Sequence, residues 1–139
     1  MSETDLQRVI EETLNLMGVW VIRTAVNRNR NGIGVRTGEP GMPDLWTEYG
    51  WLEVKLPGKE LDPDQVTWHN RARKRHINVE TVRSVNDAVT AVLTWRRKRG
   101  ELKQAVSTAA NGLSSLISCL VGQALLVAEE SMGAEHLSS

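Results

Sequence analysis

GMPDLWTEYGWLEVK, residues 41–55, decides how this chain is read. Leu45, Thr47, Leu52 and Val54 form one alternating series. Asp44, Trp46, Glu48, Trp51, Glu53 and Lys55 form the other. Period-two alternation of this kind marks strands with one face in a core. Tyr49-Gly50 interrupts it, so the stretch reads as a hairpin of residues 44–48 and 51–56 around a two-residue turn. That turn pairs Glu48 with Trp51, Trp46 with Glu53 and Asp44 with Lys55. Opposed residues share a sheet face, which gathers Asp44, Glu53 and Lys55 on one side. The parity holds for a two-residue turn and fails for a three-residue loop with a bulge.

Two carboxylates and an amine on one face define a chemistry. Neighbouring strands lie ~4.8 Å apart and residues two apart on a strand ~6.6 Å apart, so such carboxylates can share one cation. Mg²⁺ takes oxygen ligands and keeps several waters, one of which becomes acidic enough to attack a phosphodiester. Lys55 is placed to hold that water or to stabilise transition-state charge. The backbone carbonyl of Val54 is a further candidate ligand. An acid–lysine set on an exposed strand is ordinarily a solvated ion pair. The glycine- and proline-rich approach to Asp44, and the order of elements around the hairpin, set this one apart.

Working outward, residues 3–17 read as a helix, with Leu6, Ile10, Leu14 and Met17 at helical spacing, Ser2 as its N-cap and Gly18 as its stop. Residues 19–24 read as a strand and residues 25–43 as a long loop. Asp62, Pro63 and Gln65 mark a sharp helix start: cap, first-turn proline and capping-box glutamine. That helix runs to about Arg75, followed by a strand over residues 77–82 and a helix from Ser84 to about Arg99. The order is αβββαβα, an α/β sandwich over residues 1–99 with a mixed sheet flanked by helices. Residues 100–139 form a C-terminal helical extension. Within it Leu113, Leu116, Ile117, Leu120, Val121, Leu125 and Ala128 share one stripe, expected to cover the domain or pair with a second copy. No membrane role is expected: no run of ~18 apolar residues is read, Ser114, Ser115, Ser118 and Gln123 interrupt the segment, and no basic anchors are read beside it.

Net charge is zero, but residues 1–99 carry 16 Lys or Arg against 13 Asp or Glu, while residues 100–139 carry one against four. The front is mildly basic, which permits nucleic-acid binding without requiring it. Cys119 is the single cysteine, so an internal disulfide and a cysteine zinc cluster are excluded. The N-terminus lacks the pattern of a secretory signal, and a cytoplasmic location is expected. Arg23, Arg28, Arg30 and Arg36, on or near the loop before Asp44, are candidates for gripping phosphates. His69-Asn70 brings to mind the ββα metal-finger nucleases, but both residues fall inside a helix and no second histidine lies on a hairpin.

The run Gly41-Met42-Pro43-Asp44-Leu45, then Trp51-Leu52-Glu53-Val54-Lys55 and Gln65, resembles the PD-(D/E)XK nuclease superfamily. More narrowly it is similar to the small VRR-NUC proteins of phages and prophages, over about residues 2–95. The resemblance implies a restriction-endonuclease-like core and a Mg²⁺- or Mn²⁺-dependent endonuclease. Its expected substrate is DNA that is branched or structured, such as Holliday junctions or flaps, in the host cytoplasm if the chain is phage-encoded. It implies Asp44 and Glu53 as metal ligands, Lys55 as the catalytic lysine and Gln65 as a supporting residue. It also implies a first-helix glutamate, best matched by Glu3, with Gln7 one turn later on the same face and Glu11 and Glu12 as fallbacks. Symmetric cutting of a junction needs two sites, so a homodimer is expected. The rival readings are a non-catalytic nucleic-acid-binding module of the same fold and a phage structural or assembly protein.

Overall fold

The computed structural model describes residues 1–24, 26–28, 34–36 and 38–137. The elements run α1 (Glu3–Leu16), β1 (Val21–Arg23), β2 (Val26–Arg28), β3 (Gly34–Arg36), β4 (Leu45–Thr47), β5 (Gly50–Val54), α2 (Pro63–Lys74), β6 (Val79–Val82) and α3 (Val85–Leu137). β1, β4, β5 and β6 form one sheet in that order. β1–β4 and β4–β5 are antiparallel, and β5–β6 is parallel. Parallel neighbours need a crossover, and α2 supplies it. The αβββαβα reading therefore gives the right main elements and a mixed sheet flanked by helices. It misses β2 and β3, which pair as a separate two-stranded ribbon inside the stretch read as loop.

One sheet face packs a core. Leu6, Ile10 and Leu14 of α1 and Ala88 and Val92 of α3 meet Val21, Leu45, Leu52, Val54 and Val82 of the strands. α1 starts where expected, because Ser2 and Asp5 form a reciprocal capping box. The opposite face carries Trp46, Trp51 and Glu53. α2 covers its β5–β6 end, turning Gln65, His69 and Ala72 inward and setting Trp68 edge-on to Trp51 at 5.4 Å.

The chain divides into two compact units, Met1–Arg97 and Lys98–Ser139. α3 contributes its first turns to the first unit and continues through Gly100. In the second unit every described side chain is exposed. One expectation is corrected here. Within Val85–Gly133 the helix holds an 18-residue window that is long and apolar enough to cross a membrane by length and composition. The window is not a strictly apolar run, because Ser, Gly and Gln interrupt it, but they add no charge.

Candidate functional site

The hairpin register differs from the sequence reading by two residues. Leu45 faces Leu52, Trp46 faces Trp51 and Thr47 faces Gly50, around a turn at Glu48-Tyr49. Side chains alternate with a period of two, so a slip of two leaves each on its original face. Asp44, Glu53 and Lys55 therefore still share a side, and Asp44 now lies next to the Leu45–Leu52 pair, toward Glu53.

Several ties hold Asp44. Pro43 before it is fully buried. The Thr24 hydroxyl reaches the carbonyl oxygens of Pro43 and Asp44 at 2.6 and 2.9 Å, and the Thr24 N–H donates to Asp44 O at 2.8 Å. Gly41, at φ +78°, lets the loop lie against the start of α2. A Cβ there would meet Asp64 O at 2.1 Å and Gln65 N at 2.6 Å. The Asp44 carboxylate accepts the Val54 N–H at 2.8 Å.

Glu53 is the unusual member. It is 1% exposed. Its Oε1 accepts from Gln65 Nε2 at 2.5 Å and lies 3.4 Å from Lys55 Nζ. Its Oε2 is buried with no N–H donor, and the Glu53 and Asp44 carboxyl groups lie close enough to share a proton. Burial first, and then the neighbouring Asp44 charge, push Glu53 from 4.5 up to about 8, against the pull of Lys55. Asp44 is also raised, chiefly by burial and further by Glu3, against the opposing Val54 hydrogen bond and Lys55. Two carboxylates held together in a dry site, one oxygen lacking an N–H donor, are what a cation would relieve. Asp44 and Glu53 thus fit a divalent metal. Among the described residues no group of three or more His, Cys, Asp or Glu forms such a site, so water would complete a Mg²⁺ shell.

Gln65 serves two purposes. Its Oε1 accepts the Asp62 N–H at 3.0 Å, while its backbone N–H donates to Asp62 Oδ1 at 2.9 Å, completing a capping box. Its Nε2 holds Glu53. Glu3, half-buried in the first turn of α1, bears on the site through its charge on Asp44. Glu11 and Glu12 are engaged elsewhere, Glu11 with Arg23 at 2.8 Å and Glu12 with Arg8 at 3.5 Å. Arg23 is thereby committed to a carboxylate. Arg30 lies outside the described residues, as do the side chains of Arg28 and Arg36; the backbones of these two lie in β2 and β3.

Two features were not foreseen. His69 sits one turn after Gln65, 1% exposed, with neither ring nitrogen hydrogen-bonded. Burial, and then Arg73, hold it below its usual 6.5. Its spacing of four from Gln65 was the available signal. The second is a cavity of about 310 Å³ on the outer flank of α2, lined by Glu39, Trp68, Arg71 and Arg75, with Glu39 and Arg71 ion-paired.

This is an α/β domain whose mixed sheet presents an Asp–Glu–Lys set on a β-hairpin braced by the next helix, the arrangement expected of a restriction-endonuclease-like fold. A solved structure described as a VRR_NUC domain is similar, at 28% identity and a TM-score of 0.48, covering 63% of this chain and 90% of that one. No family model and no curated protein matches the chain.

Proposed function

We propose that this chain is a divalent-metal-dependent endonuclease that hydrolyses DNA phosphodiesters, with branched or structured DNA such as junctions and flaps as its substrates. The observation that carries the reading is the buried Glu53 Oε2, without an N–H donor and beside Asp44, with Lys55 Nζ on the same group. A surface ion pair has no use for such an arrangement, since burying unpaired carboxylate oxygen is costly. Asp44 and Glu53 hold Mg²⁺ or Mn²⁺, with Val54 O and Glu3 as further candidates. When bound, the metal supplies Lewis-acid activation of water and neutralises phosphate charge. Lys55 donates a hydrogen bond to the charge that develops on the phosphate. Gln65 fixes the Glu53 carboxylate, so that one oxygen is spoken for and the other is presented.

On the β1–β4 side of the same face Ile22 faces Trp46 and Trp20 stands edge-on to Trp46 at 5.2 Å, 63% exposed, and this is the proposed side of approach for DNA. Arg28, Arg30 and Arg36 are proposed phosphate contacts, and the cavity at Arg71 and Arg75 is a second proposed place for a DNA arm. Two chains acting together would cut a junction symmetrically, hence a proposed homodimer. The test is cleavage of four-way junction, flap and linear duplex DNA with Mg²⁺, Mn²⁺ or EDTA. Cutting that needs the metal and favours the branched substrates supports the proposal. No cutting of any substrate with either metal sinks it.

A further inference from the structure

We propose that residues 104–128 of α3 form a membrane anchor, with the basic run just before them at an anionic lipid surface. The inference does not rest on the nuclease reading.

The first ground is the absence of charge. Charged residues make up 24% of the chain, yet none occurs in residues 104–128. At 1.5 Å per residue this helical segment is ~37 Å long, enough for the ~30 Å hydrocarbon layer with some tilt. The second is exposure. A core helix of comparable composition would be mostly buried, but no part of the most apolar window is buried. Leu113, Leu116, Ile117, Leu120, Val121 and Leu125 are each between 53% and 61% exposed. In water that surface needs cover.

The third ground is the pattern of charge at the two ends. Arg96, Arg97, Lys98, Arg99 and Lys103 precede the segment with one acid, Glu101, among them, and Glu129-Glu130 follow it. Bases clustered at one end of an uncharged helix set its orientation and attract anionic headgroups. In the sequence these bases look like the end of a separate helix and not anchors beside the apolar stripe, but α3 is continuous through both.

The polar residues of the segment decide between lipid and a second copy in water. Ser107, Asn111, Ser114, Ser118 and Gly122 recur at spacings of three and four along one face. A helix pair in water flanks its apolar seam with charged side chains. Here the polar face is small and neutral, the kind that brings helices together within a bilayer. Serine hydroxyls can also bond back to the carbonyl four residues earlier.

Cys119, near the middle of the segment and exposed in the chain alone, is a built-in probe. The full chain is reconstituted into vesicles of phosphatidylcholine and phosphatidylglycerol and treated with a membrane-impermeant maleimide, before and after denaturing detergent. A Cys119→Ser, Glu101→Cys variant marks the basic flank. An impermeant maleimide stays outside the hydrocarbon layer, so Cys119 should label about tenfold or more slowly in vesicles than the flank cysteine, and equally after detergent. The wild-type chain should float with the vesicles, and Leu116→Arg, Leu120→Arg should not. Labelling of Cys119 in vesicles at the flank rate overturns the proposal. So does a lipid-free chain that stays in solution as a discrete dimer without floating, which would mean that a second copy covers the stripe.

Discussion

Glu53 offers the sharpest test, because its replacement should stabilise the metal-free protein while abolishing its proposed activity. Between its ordinary 4.5 and about 8, the folded chain keeps a proton on the Asp44–Glu53 pair that the unfolded chain has released. The folded state then binds more protons, so stability falls as pH rises through that window and the loss is complete above about 8. The full effect is on the order of 4–5 kcal/mol, of which about 3 kcal/mol develops between pH 5.5 and 8.5. That is a large share of a typical domain stability of ~5–15 kcal/mol. Glu53→Gln keeps an acceptor for Gln65 and places an amide beside Asp44, where the wild type has an oxygen without an N–H donor.

The assay is urea unfolding in EDTA, followed by tryptophan fluorescence. All five tryptophans lie in residues 1–97, so the signal reports on the unit that holds the site. Wild type should lose stability from pH 5.5 to 8.5, and Glu53→Gln should not. Mg²⁺ at pH 8.5 should restore the wild type, by about 2.7 kcal/mol at one hundred times its dissociation constant, and leave the variant unmoved. Parallel pH profiles for the two proteins would show that Glu53 is not held against its own charge, and the reasoning about the site would fail with it.

Asp44→Ala and Lys55→Ala should each lower cleavage at least about 10²-fold with the fold intact by circular dichroism, the scale seen when one transition-state contact is removed. Full activity in both would remove them from the reaction. Gly41→Ala should cost about 2 kcal/mol or more in urea unfolding, since the added Cβ meets backbone that cannot swing aside; a neutral result would place the loop elsewhere. Asp62→Ala should cost ~1 kcal/mol as a lost cap and spare the cleavage rate at saturating metal, whereas Gln65→Leu should lower both; equal kinetic effects would reduce Gln65 to a capping residue. In the Glu53→Gln background stability should fall as pH drops below about 6.5, because the unfolded chain protonates His69 and the folded chain resists it. Adding His69→Met should flatten that slope.

The fold was legible wherever a local rule and the core agreed. α1 and α2 begin at the expected residues because Ser2–Asp5 and Asp62–Gln65 satisfy their first-turn N–H groups from side chains three residues apart. The hairpin faces were legible for the same reason: burial of Leu45, Leu52 and Val54 fixes the alternation. The turn was not. Tyr49-Gly50 looks like the turn because glycine favours one. Instead the Thr47 hydroxyl holds the turn at Glu48-Tyr49, donating to Gly50 O at 2.7 Å and accepting from the N–H groups of Tyr49 and Gly50. Gly50 is required for a distant reason: a Cβ there would meet Asn78 Cβ at 2.6 Å and Trp95 Cζ3 at 2.8 Å. No local pattern carries that information. The committed state of Arg23 was equally hidden, since its partner Glu11 is on another element.

Gln65 shows why the site and the cap could not be separated in the sequence. Treated as alternatives, capping and catalysis compete for one residue. A carboxamide has an acceptor end and a donor end, and here α2 uses the first while Glu53 uses the second. A glutamate would satisfy the cap equally well but would bring a third negative charge against Glu53. The same bonds that start α2 therefore fix where Glu53 points. Thr24, Gly41 and the Val54 N–H do the corresponding work for Asp44. Each of these ties holds two carboxylates together that would separate if left free. Without a cation the pair keeps a proton that relieves this opposition, and a bound cation would take that proton's place. That ties the metal, rather than the pattern of residues alone, to the proposed chemistry.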